Sequence, residues 1–200
     1  MEQILKSAWR HGISYAEYQN LVETYAQAGK TSGHNQTDAF INYTKLNAAR
    51  MKRWERVFYP QPESVEAFSN LNQPENWLVI TETWCGDAAH NLPVIAKLAA
   101  LNSHITLRTV FRDENESLMN LFLTNGGKSI PKLIRLAPDF EVLGTWGPRP
   151  LILQQKILEH KANPLLTNEA HVLAVQAWYN ESKGMHAEQE LVNQVAVNLK

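Results

Sequence analysis

The 200-residue chain contains a single cysteine, Cys85, so it cannot form a disulfide bond within one copy of itself. It also lacks an excess of charge of either sign, since 19 basic and 20 acidic residues give a formal net charge of −1. This balance gives no general reason to expect binding to nucleic acid or to an acidic membrane surface. No apolar run approaches the roughly 18 residues that are needed to span a bilayer.

The N-terminal residues MEQILKSAWRHG carry an acid at position 2 and a charge every few residues, a pattern typical of neither a signal peptide nor a transit peptide. We therefore expect a cytoplasmic protein, in which a lone thiol stays largely reduced. With 44% hydrophobic residues, the chain has enough apolar material for a sizeable core. We expect one core with appended segments.

Residues 1–75 are predicted to form a helical N-terminal extension, because they lack period-two runs and space their apolar residues as helices do. Ser14 and Glu17 form a capping box that begins one helix, and Gly29 can end it.

A second, longer helix is predicted from Thr37 to Pro60. It carries a basic cluster, which we interpret as a solvated surface because no net basicity supports nucleic-acid binding. The cluster comprises Arg50, Lys52, Arg53 and Arg56.

From residue 76 the pattern changes to strands that alternate with helices. A helix between the first two strands predicts a parallel pair with a right-handed crossover, and a Pro138–Asp139 turn between the last two predicts an antiparallel hairpin. The result is an α/β domain with a mixed four-stranded sheet flanked by helices, over residues 76–163. The predicted strands are 77–83, 105–112, 132–136 and 141–146. Residues 164–200 are predicted to form a helical C-terminal extension, interrupted near Gly184.

The stretch Trp84-Cys85-Gly86 stands at the first strand-to-helix turn, Pro93 follows eight residues after Cys85, and Ile130-Pro131 precedes the third strand. This arrangement resembles the thioredoxin family, in which W-C-G-P-C occupies the same turn and an I-P proline is cis. In the resemblance, Gly147 matches a glycine that lines the family's substrate groove. Over residues 76–161 the resemblance implies a thioredoxin-like fold. The helical N-terminal region is similar to that of a bacterial branch of thioredoxin-like proteins.

Two departures from the family motif limit the chemistry. Asp87 and Ala88 replace the family's proline and second cysteine, and Val79 replaces the buried acid that helps to manage that cysteine's proton. A dithiol cycle is therefore unavailable within one chain. The first hypothesis is monothiol thiol-disulfide exchange, with Cys85 as the catalytic nucleophile and an external thiol as the resolving group.

The reactivity of Cys85 depends on opposing effects. A helix N-terminus favours the thiolate, whereas the Asp87 carboxylate two residues along disfavours it. The alternative interpretation is that Cys85 is a buried, inert packing residue.

The Ile130-Pro131 pair supports a second hypothesis that needs no sulfur chemistry. In the thioredoxin family the backbone before the cis proline pairs with an extended substrate segment. The chain can therefore be a redox-inactive binding module that uses this groove for a protein partner.

No cofactor and no metal site is expected. His90 lies five residues after Cys85, too far around a helix to share its face, so we expect a solvated or capped histidine. An iron-sulfur monothiol is disfavoured because this chain has CGDA where such glutaredoxins have CGFS. The expected partner is a protein or a low-molecular-weight thiol or disulfide, with no nucleic acid and no membrane; the oligomeric state stays open.

Three large apolar side chains in the flanking helices, Trp54, Phe58 and Trp178, predict that these helices dock on the core. Burial of each side chain stabilises the fold by roughly 1.5 to 3 kcal/mol.

Overall fold

The computed structural model describes residues 1–161 and 167–197. The strands are β1 Ile13–Ser14, β2 Glu75–Thr81, β3 Ile105–Phe111, β4 Lys132–Leu136 and β5 Val142–Trp146. The helices are α1 Glu2–His11, α2 Tyr15–Ala28, α3 Asp38–Val57, α4 Pro62–Ser69, α5 Gly86–Ala99, α6 Glu116–Met119, α7 Leu151–Lys161, α8 Asn168–Ser182 and α9 Met185–Val197.

All five strands join one mixed sheet in the order β1-β3-β2-β4-β5. β2 and β3 run parallel, as a helical crossover requires, and β4 runs antiparallel to both β2 and β5. The predicted mixed sheet, with its parallel first pair and its final hairpin, is confirmed.

The predicted number of four strands is wrong by one. The additional strand is β1, in which Ile13 pairs with Thr109 and Ser14 with Arg108 at the edge of the sheet. Two residues are too few to display the period-two pattern by which a strand is recognised in a sequence.

β2 begins and ends two residues earlier than predicted. Glu75 already pairs with Ile105, and the chain leaves the sheet after Thr81. Glu82 and Thr83 instead hydrogen-bond the loop before α3, where the backbone N–H of Thr83 donates to the Ser32 hydroxyl over 2.8 Å. These contacts turn the chain from β2 toward α5.

The predicted helix signals act as expected. The Ser14–Glu17 capping box is present, and Gly29 ends α2 in the left-handed conformation with φ of 64°. The Thr37 side chain caps α3 by accepting a hydrogen bond from the backbone N–H of Phe40.

Helices cover both faces of the sheet. On one face α2, α3, α4, α5 and α9 pack against β2 and β4 around a core that includes Trp54, Trp77, Val79, Leu92, Leu133 and Leu191. On the other face α1 and α6 pack around Leu5, Leu78, Ile80, Leu118 and Ile134. Cys85 lies at the edge of this second cluster.

Most of the flanking helices pack on the sheet, whereas α7 and α8 pack on each other around Leu153, Ile157 and Tyr179. Trp54 and Phe58 are buried, as predicted, whereas Trp178 is half-buried and stacks on His186 with ring centroids 5.3 Å apart. The domain boundary at residues 75 and 76 stays a prediction, and the boundary at residues 163 and 164 lies outside the described residues. Within the described ranges, no helix is long and apolar enough to cross a membrane.

Candidate functional site

Cys85 is the residue that caps the N-terminus of α5. Its sulfur accepts a hydrogen bond from the backbone N–H of Ala88 over 3.4 Å. The thiol in turn donates to the carbonyl oxygen of Ile130 over 3.3 Å. Cys85 is only 7% exposed. The sulfur is therefore held between the helix end and the loop before β4.

The opposing effects on the thiol do not balance. Burial raises the pKa of the Cys85 thiol to about 12, and the Asp87 carboxylate adds to the rise. The Ala88 N–H and the Arg149 charge lower the pKa by less. At neutral pH the thiol keeps its proton, which it shares with the Ile130 carbonyl.

Asp87 anchors α8 and the segment after β5 to the start of α5. Its carboxylate accepts hydrogen bonds from Nε and Nη2 of Arg149, the first over 3.1 Å, and from the Tyr179 hydroxyl over 2.7 Å. The Asp87 and Arg149 side chains are 13% and 19% exposed. The residue that replaces the family's proline thus forms a largely buried ion pair.

His90 is buried, 3% exposed, so the expectation of a solvated or capped histidine is wrong. The Trp54 indole N–H donates to His90 Nδ1 over 2.8 Å, which leaves the proton of the neutral ring on Nε2, 2.7 Å from Gln176 Oε1. The Tyr179 ring stacks on the imidazole with centroids 4.2 Å apart. Burial lowers the pKa of His90 to about 4.

This buried histidine predicts a pH-dependent stability. The folded pKa lies below the ordinary value of 6.5, so the stabilisation is complete above pH 6.5 and is lost as the pH falls toward 4. Between pH 7 and pH 5 the His90 contribution to the free energy of unfolding should fall by about 2 kcal/mol. Urea unfolding at both pH values measures the change.

The matched control for this prediction is the exposed His104. His90→Gln should flatten the pH dependence, whereas His104→Gln should leave it unchanged. An equal slope in wild type and His90→Gln would show that another group controls the pH dependence.

The Ile130–Pro131 peptide bond is cis, and so is Gly147–Pro148. A Cβ on Gly147 would lie 2.3 Å from the carbonyl oxygen of Pro131, and Gly147 has φ of +105°. This position therefore requires glycine, because the two loops pass in backbone contact. The structure thus brings together Cys85, Ile130, Pro131 and Gly147. It also shows that the Ile130 carbonyl is not free, because the thiol donates to it.

Near Cys85 lies a buried acid, Glu82, which the sequence analysis did not single out. Val79 is an apolar core residue in β2. Glu82, just beyond the end of β2, is fully buried and accepts hydrogen bonds from the Ser32 hydroxyl and from the Asp113 backbone N–H. Burial raises the pKa of its carboxyl. An acid directly after a buried strand was the available signal.

An open cleft of about 410 Å³ lies over Cys85, and we call it the Cys85 cleft. Cys85, Gly86 and Ile130 form part of its lining. Its other walls come from α3, from the first turn of α5, from the loops around the sheet, and from α7 and α8. They contribute Phe40, Tyr43, Trp84, Ile157, Val172, Val175 and Gln176, together with the charged residues Arg50, Asp87, Arg112, Lys128 and Arg149.

Aromatic stacking shapes one wall of the Cys85 cleft. The Trp84 ring lies parallel to Phe40, with centroids 4.6 Å apart, and the Arg112 guanidinium lies 4.9 Å from the centre of the Trp84 ring. The cleft volume falls in the range of small-ligand sites. In the described ranges, no three His, Cys, Asp or Glu side chains are placed to hold a metal ion.

Comparisons with known proteins agree with this architecture. A family model described as thioredoxin matches residues 33–163. An HIV epitope-scaffold is 17% identical, with a TM-score of 0.62, over 95% of this chain and 96% of its own. A protein of unknown function from Pseudomonas aeruginosa is also 17% identical, with a TM-score of 0.62, over 94% of each chain. No curated protein matches the chain. The predicted thioredoxin-like fold is confirmed.

Proposed function

The chain belongs to the thioredoxin family, and we propose that it is a redox-inactive member that binds a segment of a partner protein in the Cys85 cleft. The main support for this proposal is that the Cys85 thiol stays protonated at neutral pH. Cys85 is buried, its thiol donates a hydrogen bond to the Ile130 carbonyl, and the pKa of the thiol is raised. The reactive form of a cysteine is the thiolate, so this environment supports binding in preference to catalysis.

The cleft itself has the composition of a binding site. Phe40, Tyr43 and Trp84 give it large aromatic surfaces, and Ile157 and Val175 add apolar ones. Aromatic side chains contribute much of the energy at protein interfaces. Polar and charged side chains beside them can then orient a ligand.

Monothiol exchange is the competing function, and one observation favours it: Cys85 is part of the lining of an open cleft. In that reaction the Cys85 thiolate attacks a disulfide, forms a mixed disulfide and releases a thiolate. An external thiol then attacks the mixed disulfide, forms a new disulfide with the bound group and releases Cys85 as a thiol. Cytoplasmic glutathione can supply that thiol. Under our proposal, oxidised glutathione at pH 7.5 leaves the native protein unmodified, as intact-mass spectrometry would report. A one-to-one adduct that Cys85→Ser abolishes would instead establish exchange.

Binding is tested by selecting peptides from a random heptapeptide phage library against the full-length protein. Val172 lines the cleft and is 39% exposed, so Val172→Trp should fill the cleft without disturbing the core. The selected peptides should lose at least tenfold in affinity for Val172→Trp. The neighbouring Leu173, 69% exposed, is not among the residues that line the cleft, and Leu173→Trp should bind as wild type does. Failure to select any peptide that Val172→Trp rejects would contradict the proposal.

A further inference from the structure

We propose that the segment bound in the Cys85 cleft is acidic and that Arg50, on α3, pairs with one of its carboxylates. This inference rests on the proposed function and specifies its ligand.

The charge of the cleft differs from that of the whole chain. Four cationic side chains line it against one carboxylate, Asp87, although the chain carries a formal net charge of −1. The four are Arg50, Arg112, Lys128 and Arg149. Charge concentrated in a cleft raises the local concentration of oppositely charged ligands and favours their binding. The complementary ligand is an anion.

Acids pair with three of these four cations, and the first of these acids is the Asp87 carboxylate. Its two oxygens are engaged by Arg149 and Tyr179. Arg112 pairs with Asp113, and Lys128 pairs with the exposed Glu116. Three of the four cations therefore have an acidic partner.

Arg50 differs from these three cations. In the described parts of the chain no carboxylate lies within ion-pair distance of it, and its Nη1 donates to the neutral Asn47 Oδ1 over 2.8 Å. Arg50 is half-buried, and this desolvation lowers the pKa of its guanidinium. Burying a guanidinium without an acidic partner costs free energy. A ligand carboxylate that pairs with Arg50 would offset this cost, so the site favours an anionic ligand.

The position of Arg50 places that carboxylate at the helix end. The guanidinium Nη1 lies 3.7 Å from the point where a Cβ on Gly86 would be, beside the first turn of α5. The partial positive charge of a helix N-terminus adds to the attraction for an anion.

The remaining cleft surface favours a chain over a simple ion. The stacked Phe40 and Trp84 rings and the apolar side chains of Ile157 and Val175 present area that an inorganic anion cannot cover. A peptide with an aspartate or glutamate next to an apolar residue satisfies both parts of the cleft.

A double-mutant cycle tests the assignment. Peptides selected as above should share an acidic residue at one position, and a synthetic peptide should bind Arg50→Gln about 10- to 100-fold more weakly than wild type. The same peptide with glutamine or asparagine in place of that acid should bind wild type equally weakly. The affinity of this acid-free peptide should fall little further when the protein carries Arg50→Gln. Lys45→Gln, which removes an exposed charge from the same helix outside the cleft, should change the affinity less than twofold.

The outcomes separate the inference from the proposed function. Coupling between Arg50 and the peptide acid supports both. Peptides that bind the cleft without an acidic preference, or whose loss on Arg50→Gln is independent of the acid, overturn the inference and leave the binding function standing. If no peptide binds the cleft, the binding function is wrong and the inference fails with it.

Discussion

Arg135→Met should lower the free energy of unfolding by about 3 to 5 kcal/mol, because it leaves a carboxylate buried without its cation. Nε and Nη2 of Arg135 donate to the two carboxylate oxygens of Glu75 over 2.9 and 2.6 Å. The two side chains are 1% and 3% exposed. The Trp77 indole also donates to Glu75, and Arg135 Nη1 donates to the Gln194 carbonyl in α9. The pair therefore joins β2, β4 and α9 inside the core.

A double variant shows how much of this loss in stability comes from the unpaired Glu75 carboxylate. Replacing both residues, with Glu75→Gln and Arg135→Met, should recover a large part of the loss, since neither variant side chain is charged. Glu2→Gln, which breaks the exposed pair with Lys6, should change the stability by less than about 1 kcal/mol. Urea unfolding followed by tryptophan fluorescence measures all three. A loss below 1 kcal/mol for Arg135→Met alone would contradict the buried-pair assignment.

Asp87→Ala should lower the free energy of unfolding by about 3 kcal/mol, because it leaves the Arg149 guanidinium and the Tyr179 hydroxyl without their acceptor. It should also accelerate alkylation of Cys85 roughly tenfold, since the carboxylate raises the pKa of the thiol and holds α8 over the cleft. Urea unfolding and mass spectrometry measure the two effects.

Tyr179→Phe is the matched control for the Asp87 substitution. It removes one hydroxyl but keeps the ring that stacks on His90, so it should cost about 1 kcal/mol. If Asp87→Ala were no more destabilising than Tyr179→Phe, the ion pair between Asp87 and Arg149 would add nothing to the stability of the fold.

Local signals in the sequence predicted the elements that form the sheet and the turn that presents Cys85. The Ser14 capping box, the hairpin at Pro138–Asp139 and the position of Cys85 before α5 all depend on neighbouring residues, so their patterns are legible in one sequence. The four principal strands follow for the same reason.

The environment of Cys85 could not be predicted in the same way. Asp87 and Tyr179 are 92 residues apart in the chain, and His90 and Gln176 are 86 apart, so nothing local indicates that α8 lies against α5. The thiol pKa depends on burial produced by that packing. Without knowledge of that packing, the sequence could not show whether the helix end, which lowers the thiol pKa, or Asp87, which raises it, has the larger effect.

The alkylation of Cys85 by iodoacetamide across pH tests most directly whether the thiol is inactive. With its pKa raised to about 12, native Cys85 should react at pH 8 at least about a hundredfold more slowly than Cys85 in the urea-unfolded chain, whose thiol has the ordinary pKa. Intact-mass spectrometry gives both rates on the same protein. A native thiol that reacts as fast as the unfolded one, with a thiol pKa below about 7.5, would contradict the redox-inactive assignment and establish Cys85 as a nucleophile.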